Sequence, residues 1–118
     1  VINTDTVIIE NASNISDDFK TKLSKYFNEY DELTNFRNVI RTYNDKEVIE
    51  LFVNGIKNGL KNICFETTGQ DLNQIKKMKI ILDTITNLTN TKLNLYISTY
   101  NKNVLDHFKD YNIIEISR

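Results

Sequence analysis

Residues 62–72 read Asn-Ile-Cys-Phe-Glu-Thr-Thr-Gly-Gln-Asp-Leu. Ile63, Cys64 and Phe65 form an unbroken apolar run between polar ends, the pattern of a short strand buried on both faces. Residues 67–70, around Gly69, read as a loop. Asp71 then stands where a helix N-cap belongs. The next apolar positions, Leu72, Ile75, Met78, Ile81 or Leu82, Ile85 and Leu88, have helical spacing. A buried strand that passes within a few residues into a long amphipathic helix is half of a βαβ unit, and this decides the fold class.

The chain repeats that alternation on both sides. Downstream, Leu93, Leu95 and Ile97 alternate as a strand over residues 93–99. Val104, Leu105, Phe108 and Tyr111 space as a short helix, and residues 113–117 close with a final strand. Upstream, Asn44 and Glu47 form a capping-box pattern ahead of the stripe Val48, Leu51, Phe52, Ile56 and Leu60. Gly55 on that stripe predicts a close helix-to-sheet contact, and Gly59 a C-terminal cap. Residues 35–43 do not alternate cleanly. Phe36, Val39 and Ile40 read as a short edge strand, with a helical continuation as the alternative. Earlier still, Ser16 with Asp17 and Asp18 reads as a helix start. Phe19, Leu23, Tyr26, Phe27, Tyr30 and Leu33 then make an aromatic-rich inner face. Val7, Ile8 and Ile9 mark a buried strand over residues 6–10.

The expected fold is an α/β three-layer sandwich. It has a mostly parallel sheet of four to five strands with helices on both faces, in flavodoxin/Rossmann-like or STAS-like order. Strands near 6–10, 62–66 and 93–98 are expected at its centre. Phe65, Leu72, Ile75, Leu95 and Ile97 are expected to be almost fully buried.

The chain has 118 residues, a single-domain length, and residues 1–118 are read as one domain. Its first residue is Val, and it reads as a piece of a longer protein. Apolar residues are 40% and charged residues 26%, ordinary globular usage. A net charge of −1 gives no electrostatic reason to expect nucleic acid or an anionic membrane as partner. No apolar run approaches a membrane span. Cys64 is the sole cysteine, which rules out an internal disulfide and fits a reducing, cytoplasmic setting. The bias to Asn, Ile and Lys fits an AT-rich genome, such as that of a low-GC bacterium or its phage.

Ligands of an open parallel sheet bind beyond the carboxyl ends of its strands. That rule collects Glu10 and Asn11, then Glu66, Thr68 and Asp71, then Ser98, as a candidate ligand-binding rim. Carboxylates and hydroxyls of this kind suit a hard cation such as Mg²⁺. The crossover helices, however, point their free N–H groups into the same crevice, which opposes a tight metal site.

With Glu10 ending its first strand, the chain resembles a toprim domain, a Mg²⁺-dependent module of topoisomerases and primases. Glu10 alone carries over. Asn11 replaces the usual glycine, and the later strand runs into Thr67-Thr68-Gly69-Gln70-Asp71 without an Asp-x-Asp pair. Residues 62–117 resemble in element order the STAS domain, a regulatory switch module. The resemblance implies a phosphorylation loop near Leu72-Asn73-Gln74-Ile75, where no serine stands.

There is no glycine-rich phosphate loop. His107 has no histidine partner and reads as structural, and Cys64 reads as packing. Lys57, Lys61, Lys76, Lys77 and Lys79 read as a solvated face, with Asp83 one turn beyond Lys79. The aromatic cluster of Phe19, Tyr26, Phe27, Tyr30, Phe36 and Tyr43 reads either as core or as an exposed interface patch. The functional expectation is therefore a non-enzymatic regulatory or protein-interaction domain. It carries no catalytic residue, metal or cofactor, and its partner is another protein or a neighbouring domain. The alternative is a toprim-like, Mg²⁺-dependent phosphoryl-transfer or nuclease domain using Glu10, Glu66 and Asp71.

Overall fold

A computed structural model describes residues 17–27 and 33–116 of the chain. The strand expected at 6–10, with Glu10 and Asn11, lies outside the described residues. The elements run α1 (Asp17–Leu23), β1 (Thr34–Asn35), α2 (Phe36–Thr42), α3 (Asp45–Lys57), β2 (Asn62–Glu66), α4 (Leu72–Thr89), β3 (Asn94–Ser98), α5 (Lys102–His107) and β4 (Asn112–Glu115). The four strands form one sheet in the order β1-β2-β3-β4, and every pairing is parallel.

Register divides the side chains of the sheet between two faces, because paired residues of parallel strands point the same way. Ile63 pairs with Leu95 and Phe65 with Ile97. All four are at most 1% exposed and belong to one hydrophobic cluster with residues of all five helices. Four phenylalanines tie the layers together. Phe65 packs on Phe108 at 5.3 Å and on Phe36 at 6.5 Å, and Phe36 meets Phe52 edge-on at 5.3 Å. α4 touches α3 on one side and α5 on the other.

The crossover helices α3, α4 and α5 thus lie side by side in one layer, and the expected placement of helices on both faces is not seen among the described residues. Strand order is the reason. A doubly wound sheet reverses direction at a switch point and throws helices to both sides. A sheet that adds strands in sequence with right-handed crossovers keeps them on one.

Local chemistry explains the departures from expectation. Of residues 35–43 only Asn35 is strand, as the end of β1; helix α2 takes Phe36–Thr42, and Tyr43 is its extended C-cap. The Asn35 side chain accepts from Asn38 N at 3.1 Å, an N-cap bond. Phe36, Val39 and Ile40 then fall on one helical face and are buried. The N-terminal helix stops at Leu23. A 3₁₀ turn over Ser24–Tyr26 comes next, Phe27 is extended, and it bridges antiparallel to Thr34. Leu33 is consequently buried on the approach to β1 instead of on a helix.

Leu72 is 41% exposed, against expectation. It is the first residue of α4, and helical side chains lean toward the N-terminus, so it overhangs the rim where the sheet has ended. Ile75 begins the buried stripe. The aromatic cluster is core: Phe19, Tyr26 and Phe36 are buried, and Phe27 and Tyr43 pack against them. Tyr30 lies outside the described residues.

Gly55 does mark a close contact, but with α1 instead of the sheet. A Cβ there would stand 2.3 Å from Cζ of Phe19. Gly59 has φ +107°, as a residue just past a helix end should. The expected capping box is present, with Glu47 N donating to Asn44 Oδ1 at 2.9 Å and Asn44 N to Glu47 Oε1 at 3.1 Å. Among the described residues no helix is long and apolar enough to cross a membrane.

Candidate functional site

The described rim residues stand where the topology argument puts them. Glu66 ends β2, Ser98 ends β3 directly beside it in register, and Thr68 and Asp71 lie in the connection to α4. Most polar groups around them are engaged in building the loops. Asp71 is the N-cap of α4, its carboxylate accepting from Gln74 N at 3.2 Å. Thr67 Oγ1 accepts from Gly69 N at 3.1 Å, and Thr68 Oγ1 lies 3.4 Å from Gln70 N. Asn101 caps α5 through Asn103 N and also donates its amide to the carbonyl of Gly69 at 3.1 Å.

Gly69 has φ +75°, and a Cβ there would lie 2.7 Å from Cβ of Asn101 and from Cγ2 of Val104. The β2–α4 loop therefore needs glycine both for its turn and for its approach to α5. Across the rim, Arg37 Nη1 donates to the carbonyl of Glu66 at 3.1 Å, and Lys102 pairs with Glu115 at 2.8 Å.

Two polar atoms here lack partners among the described residues: Ser98 Oγ, on a residue 3% exposed, and Arg37 Nε. Glu66 is exposed beside Ser98. Arg37 is a rim residue that the sequence reading missed. It lies one residue inside α2, and reading residues 35–43 as strand concealed its direction. Among the described residues no group of three or more His, Cys, Asp or Glu side chains is placed to hold a metal ion.

A second polar cluster lies on the flank of α4. Lys79 Nζ pairs with Asp83 at 2.7 Å and sits 5.5 Å from the centre of the Tyr111 ring. The Tyr111 hydroxyl donates to Asp83 Oδ1 at 2.7 Å. Burial, and then the hydrogen bond to Asp83, push the phenol pKa well above its ordinary value. Tyr111 is thus held neutral as a donor, tying the approach to β4 onto α4. The expected ion pair of Lys79 with Asp83 is present, in a cleft of about 320 Å³ also lined by Thr86 and Asn90.

The face of the sheet opposite the core carries a feature missed in the sequence. Asn94 donates its side-chain amide to Asn62 Oδ1 at 2.7 Å, and Asn112 donates to Asn94 Oδ1 at 2.8 Å. Register places these residues side by side on β2, β3 and β4. The sequence signal is the opening of each strand, Asn before Ile or Leu, as Asn62-Ile63, Asn94-Leu95 and Asn112-Ile113. No protein-family model, curated protein or solved structure matches the chain.

Proposed function

We propose that this chain is a non-enzymatic regulatory or protein-interaction domain whose partner is another protein or a neighbouring domain. One observation carries the reading: the carboxyl rim, where a parallel α/β domain ordinarily keeps its reactive groups, uses its polar side chains to hold the fold. Asp71 and Asn101 cap helices, Thr67 and Thr68 close turns, Arg37 holds a backbone carbonyl, and Glu115 is paired with Lys102. A cap carboxylate that also ligated Mg²⁺ would have to share its charge between helix and metal. The STAS-like element order fits a regulatory module of this kind.

The toprim-like alternative is favoured by one specific feature, the buried Ser98 Oγ, which has no partner among the described residues and stands on the residue beside Glu66. A Mg²⁺ titration followed by amide NMR separates the two. The interaction reading expects no saturable shift over residues 66–71 at millimolar metal. A saturable shift there, abolished by Glu66→Gln, would overturn it.

A further inference from the structure

We propose that the outer edge of β4 receives an extended segment of a partner protein as a fifth parallel strand, selected by an asparagine that continues the Asn62–Asn94–Asn112 ladder. The proposal rests on the interaction reading above and names the partner's chemistry.

The ladder has a direction. Asn112 gives its amide NH₂ to Asn94, and Asn94 gives its own to Asn62. Because the two polar atoms of a carboxamide diverge from one carbon, the Asn112 carbonyl oxygen is left on the side away from β3. The end of the ladder on β4 therefore presents an acceptor, and only a donor can extend it. An asparagine in register on an added strand supplies that donor and presents a fresh acceptor in turn, as Asn94 and Asn112 do on β3 and β4.

The backbone of the edge agrees. Among the described residues β4 is paired on one side only, with β3. Its Asn112 and Glu115 are exposed and its Ile113 and Ile114 only half-buried. A strand edge of this kind offers unpaired N–H and C=O groups for strand addition. The register also specifies the residues after the guest asparagine. Ile113 packs against the core cluster on the helix side, so the next residue of the guest falls beside it and should be apolar. The residue after that falls beside Ile114 on the ladder face. The motif is Asn-apolar-x, the opening that β2, β3 and β4 themselves share.

The probe is a blocked peptide with the sequence of residues 92–99, Lys-Leu-Asn-Leu-Tyr-Ile-Ser-Thr, titrated into the isotope-labelled whole chain. Saturable shifts of the β4 amides and of the Asn112 side-chain NH₂ are expected. Replacing the peptide asparagine with alanine should weaken binding by about tenfold, the loss of one side-chain hydrogen bond. Equal affinity for both peptides would overturn the ladder rule while leaving β4 an interaction edge. Absence of any saturable β4 shift at millimolar peptide would overturn the docking site itself. Neither result depends on the metal titration that tests the broader reading.

Discussion

The two faces of the sheet are built by different physics from the same strands. On the core face, Ile63, Phe65, Leu95 and Ile97 are sealed under the helices, and their contribution scales with apolar area removed from water. On the opposite face, the same strands present Asn62, Asn94 and Asn112, whose bonds are short and directional. Apolar packing tolerates any residue of the right volume, whereas a carboxamide chain tolerates no slip. A shift of one residue would put Asn94 opposite an apolar neighbour and turn the core residues outward. The core face thus supplies most of the buried apolar area, and on the ladder face, where Cys64 is also buried, the asparagine bonds favour one register.

The largest test of that division is on the core face. Phe65→Ala removes a ring that touches both Phe36 and Phe108 and leaves a cavity the rigid helices cannot fill. Chemical denaturation should show a loss of about 4 kcal/mol, and a loss below about 1 kcal/mol would mean that this face is not the core.

Asn94→Ala is the matching change on the other face. It cuts both links of the ladder at once, so a loss of about 1–2 kcal/mol is expected by the same measurement. A further double change with Asn112→Ala should cost little more than Asn94→Ala alone, since the bond between them is already gone. Full additivity of the two would mean that the asparagines act independently and that no ladder operates.

The smallest expected effect lies at the join between α4 and β4. The folded-state pKa of Tyr111 is raised above the ordinary 10.0, so its contribution is fully present below pH 10.0 and is lost as pH rises toward the folded value. Stability measured from pH 9 upward should fall more steeply in the native chain than in Tyr111→Phe. Parallel curves would show that the hydrogen bond to Asp83 does not hold the phenol neutral.

Residues 62–98 are the most legible part of the fold because two signals agree there. Ile63-Cys64-Phe65 and Leu93-Leu95-Ile97 have strand periods, and the stripe between them has a helical one. Strand order is not legible, because alternation of strand and helix is the same for a sequential sheet and a doubly wound one. Thr34–Asn35 escapes for a related reason: a strand of two residues has no period. Leu72 fits the α4 stripe by spacing, but spacing does not say where the sheet beneath it ends.

The candidate site divides in the same way. Topology alone places Glu66, Thr68, Asp71 and Ser98 at the carboxyl rim. The engagement of Asp71 as a cap and of Thr68 as a turn acceptor depends on atomic directions that no spacing carries. The asparagine ladder is legible in principle, but only by aligning strand starts 32 and 18 residues apart, from Asn62 to Asn94 to Asn112, which requires the register first.

If the helices cover one face of the sheet and leave the ladder face to carry polar contacts, the two faces must differ in their access to solvent. A soluble paramagnetic agent reads that difference on one strand, through relaxation at the Tyr96 ring and at the methyl groups of Leu95 and Ile97. Leu95 and Ile97 are at most 1% exposed on the core face of β3, whereas Tyr96 between them is half-buried on the other. The agent should broaden Tyr96 markedly while leaving Leu95 and Ile97 untouched. Equal protection of Tyr96 and Ile97 would contradict a difference in covering between the two faces.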